Sequence, residues 1–262
     1  MDRRNFLKTG GMVVLGSMAA SSVLRAESLK GAHDASGISS ALNHFGVSQE
    51  DMKKVLAAAL EKGGDYADLF FEHTFNNYVG LQDGAVNRCN SNIDFGVGIR
   101  VLAGDQTGYA YVENVTLKEM LNAARTAARI ATGGKATLPV ALTDKPIKTN
   151  YYSVKMPWEE VILKSKMPYL QRLNDRIFAL DKRVHKVSAS LTDTTSHILF
   201  CNSEGVMYYD YRPMVTLGAV CIMEENGKVE NGYAARAYRM GFEFLNDDVV
   251  ELLAQEAVAK TS

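Results

Sequence analysis

Two dipeptides, Asp83-Gly84 and Asn226-Gly227, stand between runs in which apolar and polar residues alternate. Both residue types tolerate positive φ, so they favour tight turns. Alternation places every second side chain on one face of a strand. The chain is thereby committed to antiparallel hairpins, and the rest of the pattern says what flanks them.

In the first half, Ser48 is placed to cap a helix carrying Met52, Val55, Leu56, Ala59 and Leu60 on one stripe, which Gly63-Gly64 ends. Ala67, Leu69 and Phe71 then alternate as a strand. Tyr78–Gln82 reads as a second strand, and Ala85–Ser91 returns from the Asp83-Gly84 turn. Ile93–Leu102 and Gln106–Val112 complete a meander around Ala103-Gly104-Asp105. Thr116-x-x-Glu119 is a capping box opening a helix with a small apolar face, Ala124, Ala127, Ala128 and Ala131 among it, that stops at Gly133-Gly134.

The second half repeats the order. A helical region is expected from Pro157, interrupted at Pro168 and resuming to Asp181. Val187, Ala189 and Leu191 alternate. Ile198–Asn202 and Val206–Tyr211 form a hairpin around Ser203-Glu204-Gly205, and Val215–Glu225 pairs with Lys228–Tyr238. Asp247 is expected to cap a last helix with Val250, Leu253, Ala254 and Ala257. The fold class is therefore α+β: two similar helix–antiparallel meander–helix modules, with sheets covered by helices. The modules span residues 45–134 and 157–262, joined by a connector at 135–156.

Residues 1–26 read as an address. Arg3 and Arg4 precede Phe6, Leu7 and Lys8, and a short apolar stretch runs from Met12 to Leu24. That stretch is too short to span a bilayer comfortably, so no stable membrane span is expected. The string resembles a twin-arginine export signal, which implies a folded, exported and periplasmic protein. Residues 27–44 are polar and weakly patterned and read as a linker.

Without residues 1–26, 25 basic residues face 29 acidic ones, a net charge near −4. That mild acidity excludes a dedicated nucleic-acid binder. Cys89, Cys201 and Cys221 form no CxxC and are odd in number. They suggest neither a zinc knuckle nor a disulfide framework, although export would permit a Cys201–Cys221 bridge.

No local group of metal ligands is present. His33 and His44 fall in the linker. His73, His185 and His197 fall on separate strand-like runs and are expected as surface or core histidines. Gly96-x-Gly98 lacks the third glycine of a dinucleotide loop and suits close packing within a sheet. Tyr208-Tyr209-Asp210-Tyr211 is expected to be a strand with one wet and one buried face, or else a peptide- or sugar-contacting surface. No residue qualifies as catalytic or metal-binding, and no cofactor is expected in this chain.

The blocks Gly64–Glu72, Leu81–Val86, Gly96–Gly104 and Gly108-Tyr109-Ala110, with the Ala123–Ala131 helix, resemble TldD/PmbA proteins. The wording DYADLFFE is closer to the TldD branch than to the PmbA branch, also called TldE. The resemblance spans residues 48–262. It implies a zinc metallopeptidase acting on peptides, and a homo- or hetero-dimer with a TldD/PmbA-type subunit enclosing a cavity. In TldD-type members the resemblance further implies zinc held by an HExxxH helix and a cysteine. That helix falls beyond Ser262, so no ligand is carried over to any residue here. The expectation is the N-terminal non-catalytic portion of such an enzyme. The alternatives are an inactive partner or peptide-binding subunit, or a gene fragment.

Overall fold

The computed structural model describes residues 37–133, 138–145, 152 and 154–261. The signal residues Arg3, Arg4, Phe6, Leu7 and Lys8, and His33, lie outside the described residues.

The first half runs α1 (Ile38–Phe45), α2 (Gln49–Leu60), β1 (Tyr66–Gln82), β2 (Ala85–Ala103), β3 (Gln106–Val112) and α3 (Leu117–Ile130). A short β4 (Thr143–Asp144) follows. The second half runs through a 3-10 turn (Trp158–Glu160), α4 (Leu163–Leu180), β5 (Val184–Asn202), β6 (Val206–Glu225), β7 (Lys228–Tyr238), a second 3-10 turn (Phe242–Phe244) and α5 (Asp247–Ala259). The helix–meander–helix order is present in both halves, as expected.

Among the described residues the two meanders are joined in one seven-stranded sheet, ordered β3-β2-β1-β5-β6-β4, with β7 also on β6. The junction is β1 against β5, antiparallel from Asp68↔Asn202 to Gln82↔Ser188. Buried apolar residues of β1, β2, β5 and β6 fall almost wholly at odd positions, such as Leu69, Ile99, Leu199 and Leu217. One face of the sheet therefore faces helices throughout. α1, α2 and α3 cover one end of it, and α4 and α5 the other, giving two apolar clusters.

Local signals explain the ends of several elements. The Ser48 side chain accepts from the Asp51 N–H, and Thr116 Oγ1 accepts from the Glu119 N–H. Asp83 and Gly84 have φ of 50° and 80°, and Asn226 and Gly227 53° and 77°, the all-positive geometry of the tightest hairpin turns. Gly96 and Gly98 do provide close packing. A Cβ on Gly98 would lie 2.5 Å from the Tyr109 hydroxyl, and one on Gly96 would meet the Tyr111 hydroxyl.

Several expectations are corrected. The region read as a linker to residue 44 contains α1, whose Ile38, Ala41 and Phe45 are buried against the first cluster. Three apolar residues at helical spacing suffice when a sheet lies beneath them. The breaks expected near Asn77, Asn92, Thr194 and Arg212 are absent, and each pair of short strands is one long strand. Neighbouring strands supply hydrogen-bond partners there regardless of side-chain polarity. β6 even passes through Pro213, which lies between the stretches paired with β4 and β7. A missing N–H costs no ladder bond on that unpaired side.

α4 starts at Leu163 rather than at Pro157, after a separate 3-10 turn, and Pro168 is accommodated inside it. α5 is capped by Asn246, whose side chain accepts from the Val249 N–H, one residue before the expected cap. Cys201 pairs with Met207 near one end of the sheet and Cys221 with Val187 near the other. At strand rise they are roughly 45 Å apart, far beyond disulfide reach.

Candidate functional site

The covered face is apolar at its two ends and polar between them. On β1 the odd positions pass from Phe71 through His73, Phe75 and Asn77 to Val79. On β5 they pass from Leu199 through His197, Thr195 and Asp193 to Leu191. On β6 they pass through Tyr209 and Tyr211 to Val215. The seam between the two apolar clusters is thus a belt of buried and half-buried polar groups. Groups from the covering elements close it: His44 from α1, Glu159 from the first 3-10 turn and Lys166 from α4.

His73 and His197 face each other across the β1–β5 ladder. His44 lies over them, its ring stacked on His197 with centroids 4.5 Å apart and its Nε2 2.9 Å from His73 Nδ1. His197 Nδ1 is 2.7 Å from the Tyr209 hydroxyl, and its Nε2 is 3.1 Å from Glu159 Oε1. The second Glu159 oxygen accepts from Tyr211 at 2.9 Å and from Thr195 at 3.2 Å. Further along the belt, Lys166 Nζ donates to Asp193 at 2.5 Å and Asn77 donates to the same carboxylate at 2.9 Å. Trp158 Nε1 donates to the Met240 carbonyl.

Burial alone would raise the Glu159 carboxyl. The hydrogen bonds and attraction from His197, its own backbone and Tyr211 outweigh that and hold it below the usual range. Burial beside Glu159 pushes both the Tyr209 and Tyr211 hydroxyls upward. His44 is lowered to about 3, first by burial and then by the neighbouring His197 and His73 imidazoles, against a weaker opposing pull from Glu159.

That shift sets a pH dependence. The folded state keeps His44 neutral, while the unfolded chain takes up its proton below the ordinary 6.5. Stability is therefore intact above that value and declines as pH falls toward 3. For a half-exposed ring the loss between pH 7 and pH 5 is expected to be about 1 kcal/mol. Urea unfolding at the two pH values measures it, and His44→Gln should remove that part of the slope. An unchanged slope in His44→Gln would refute the assignment.

This convergence corrects the sequence reading, which kept His44, His73 and His197 apart. The available signal was parity: polar side chains at the core-facing positions of three adjacent strands. His185 is remote and exposed, 3.9 Å from Glu224. Tyr208 lies on the opposite face, stacked on Phe200, and Asp210 accepts from Arg212 and Arg239 there.

The imidazoles do not suit a zinc ion. Those of His44 and His73 are turned onto each other, and both His197 nitrogens are engaged by Tyr209 and Glu159. Among the described residues no group of three or more His, Cys, Asp or Glu is arranged to hold a metal. Chemically, the belt ties α1, the 3-10 turn and α4 to three strands through side-chain contacts. Among the described residues, no helix is long and apolar enough to cross a membrane.

Comparison with known proteins adds relatives. Residues 67–131 match the family description "PmbA/TldA metallopeptidase domain 1", and residues 157–262 match "PmbA/TldA metallopeptidase central domain". A metalloprotease TldD homolog of Haemophilus influenzae is 32% identical over 202 residues, covering 74% of this chain and 42% of that protein. The corresponding protein of Buchnera aphidicola (subsp. Acyrthosiphon pisum) is 29% identical over 211 residues, 80% of this chain and 43% of its own. The chain thus spans less than half the length of these curated relatives.

Two solved structures share the fold. TldE from Thermococcus kodakarensis has a TM-score of 0.59 at 16% identity, covering 80% of this chain and 47% of its own. A Thermotoga maritima protein described as a candidate modulator of a DNA gyrase has a TM-score of 0.63 at 19% identity, covering 81% of this chain and 47% of its own.

Proposed function

The chain belongs to the PmbA/TldD family, and from that premise we propose that it forms the N-terminal non-catalytic portion of an exported zinc metallopeptidase. In this reading the complete protein acts on peptides, and these residues shape the substrate cavity and part of a dimer contact with a TldD/PmbA-type subunit. Zinc, when bound by the complete protein, would supply the polarised water for amide hydrolysis.

The observation that carries the non-catalytic assignment is the commitment of the seam donors to one another. His44 faces His73, and His197 is held between Tyr209 and Glu159. A peptidase site needs ligands converging on one ion with an open position. The role left to this portion is architectural, a rigid sheet fixed to its helices through a buried polar belt. Export through the twin-arginine route rests on Arg3, Arg4, Phe6, Leu7 and Lys8 and would place the protein in the periplasm.

One experiment tests these statements together: recovery of the native gene product from cell fractions, with its mass, zinc content and peptide hydrolysis measured beside the 262-residue chain. The expected result is a periplasmic product longer than this chain that holds zinc and cuts peptides, while the 262-residue chain does neither after chelator washing. Hydrolysis by this chain with chelator-resistant zinc would overturn the non-catalytic assignment. A native product of this length without activity would favour the inactive partner subunit, and a cytoplasmic product would overturn export.

A further inference from the structure

β2 has a stretch that the fold leaves open. Among the described residues, β3 pairs with it from Val97 to Ala103, whereas Ala85 through Asp94 are all exposed and pair with β1 alone. A register shift at Gly80/Leu81, where β2 passes from Arg88 to Val86, makes Asn87 the extra residue of a bulge. The regular open edge therefore begins at Arg88 and continues to the residues beside β3.

The direction of its backbone groups follows from the turns. Ala103 and Gln106 flank the two-residue turn Gly104-Asp105, which makes them a hydrogen-bonded pair. Odd residues of β2 thus direct N–H and C=O away from β1. The Asp65 N–H donating to the Leu102 carbonyl on the β1 side, and the Tyr111 hydroxyl donating to the Phe95 carbonyl on the outer side, fix the same alternation. Cys89, Ser91 and Ile93 accordingly present backbone donors and acceptors to solvent, as an edge strand ready for pairing does.

The side chains of this edge are self-complementary. Arg88 and Asp94 sit at its two ends and on the same face. The Arg88 guanidinium lies over the Tyr78 ring, and Asp94 accepts from Asn92. We propose that Arg88–Asp94 pairs antiparallel with the same segment of a second copy of this chain, about a two-fold axis at Ser91.

In that register Cys89 lies opposite Ile93 of the second copy and Ser91 opposite Ser91, as hydrogen-bonded pairs. Arg88 lies opposite Asp94 twice, at non-hydrogen-bonded positions where side chains approach most closely. Centring on Cys89 or Asn90 would instead set Arg88 opposite Asn90 or Asn92. Only the Ser91 centre matches the charges, and it also fits the segment between the bulge and the β3-covered part. The contact is isologous, closes at two copies and extends the sheet through the dimer. It does not depend on the chain being part of a peptidase.

The test is the oligomeric state of the full chain by sedimentation and light scattering. The wild type should be a dimer at micromolar loading. Arg88→Asp alone, or Asp94→Arg alone, sets like charges opposite each other on both sides of the axis and should weaken dimerisation by about tenfold or more. The double variant Arg88→Asp/Asp94→Arg should restore it. Ile93→Cys should form an intermolecular disulfide with Cys89 under mild oxidation. All these residues are exposed, and circular dichroism checks that the variants fold. A monomeric wild type, single variants that dimerise like the wild type, or a double variant that stays monomeric would each overturn the proposal.

Discussion

Replacing Lys166 with methionine is expected to lower the unfolding free energy by about 3–5 kcal/mol, measured by urea denaturation at pH 7. The Lys166 and Asp193 side chains are 5% and 2% exposed, and Asp193 lies at the middle of β5 beneath α4. Removal of the ammonium leaves a buried carboxylate to which Asn77 still donates. The desolvation that the pair offsets then stands uncompensated. The Lys166 charge also lies 5.4 Å from the centre of the Trp158 ring, so the seam loses a second interaction. The double variant Lys166→Met/Asp193→Leu removes both charges and should recover most of the loss, because apolar groups of similar volume tolerate the site. A single variant within about 1 kcal/mol of wild type would show that the pair is solvated in solution.

Gly108→Ala is expected to cost about 3 kcal/mol and to loosen α3 selectively. Gly108 lies on β3 under that helix. A Cβ there would fall within bonding-like distance of the Ala127 carbonyl oxygen, 2.9 Å from its carbon and 3.1 Å from the Ala131 nitrogen. The obstructing atoms are backbone, so no side chain can rotate away and the helix itself must shift. Gly104→Ala is the contrast. Gly104 has open space around its Cβ position and a φ of 59°, so its cost should be the backbone term of about 1 kcal/mol. Calorimetry ranks the two, and amide exchange should show lost protection in α3 for Gly108→Ala alone. Equal costs would mean that α3 rides further from the sheet than described.

Much of this arrangement follows from local chemistry. Ser48 and Thr116 cap the helices where their spacing to Asp51 and Glu119 places them, because a cap depends only on residues three apart. Asp83-Gly84 and Asn226-Gly227 turn the chain where positive φ is tolerated. The alanines of α3 announce a close approach, though not that Gly108 is what they approach. The long strands were less legible. Polar stretches such as Thr192–Ser196 look like breaks when read singly, yet in the sheet their backbones are paired on both sides. The helix α1 was missed because its three buried residues have meaning only above the sheet.

The order of the other helices and the meanders, the tight turns, the Ser48 and Thr116 caps and the family resemblance were thus set by residues near one another in the chain, through periodicity, turn preference and short hydrogen bonds. Tertiary structure alone decided that the two meanders join through β1 and β5. That junction brings His44, His73 and His197 together from three separate elements, and it aligns Lys166 with Asp193. The physical reason is that a strand fixes which face a side chain occupies, while its neighbours along that face are set by pairing partners more than a hundred residues away.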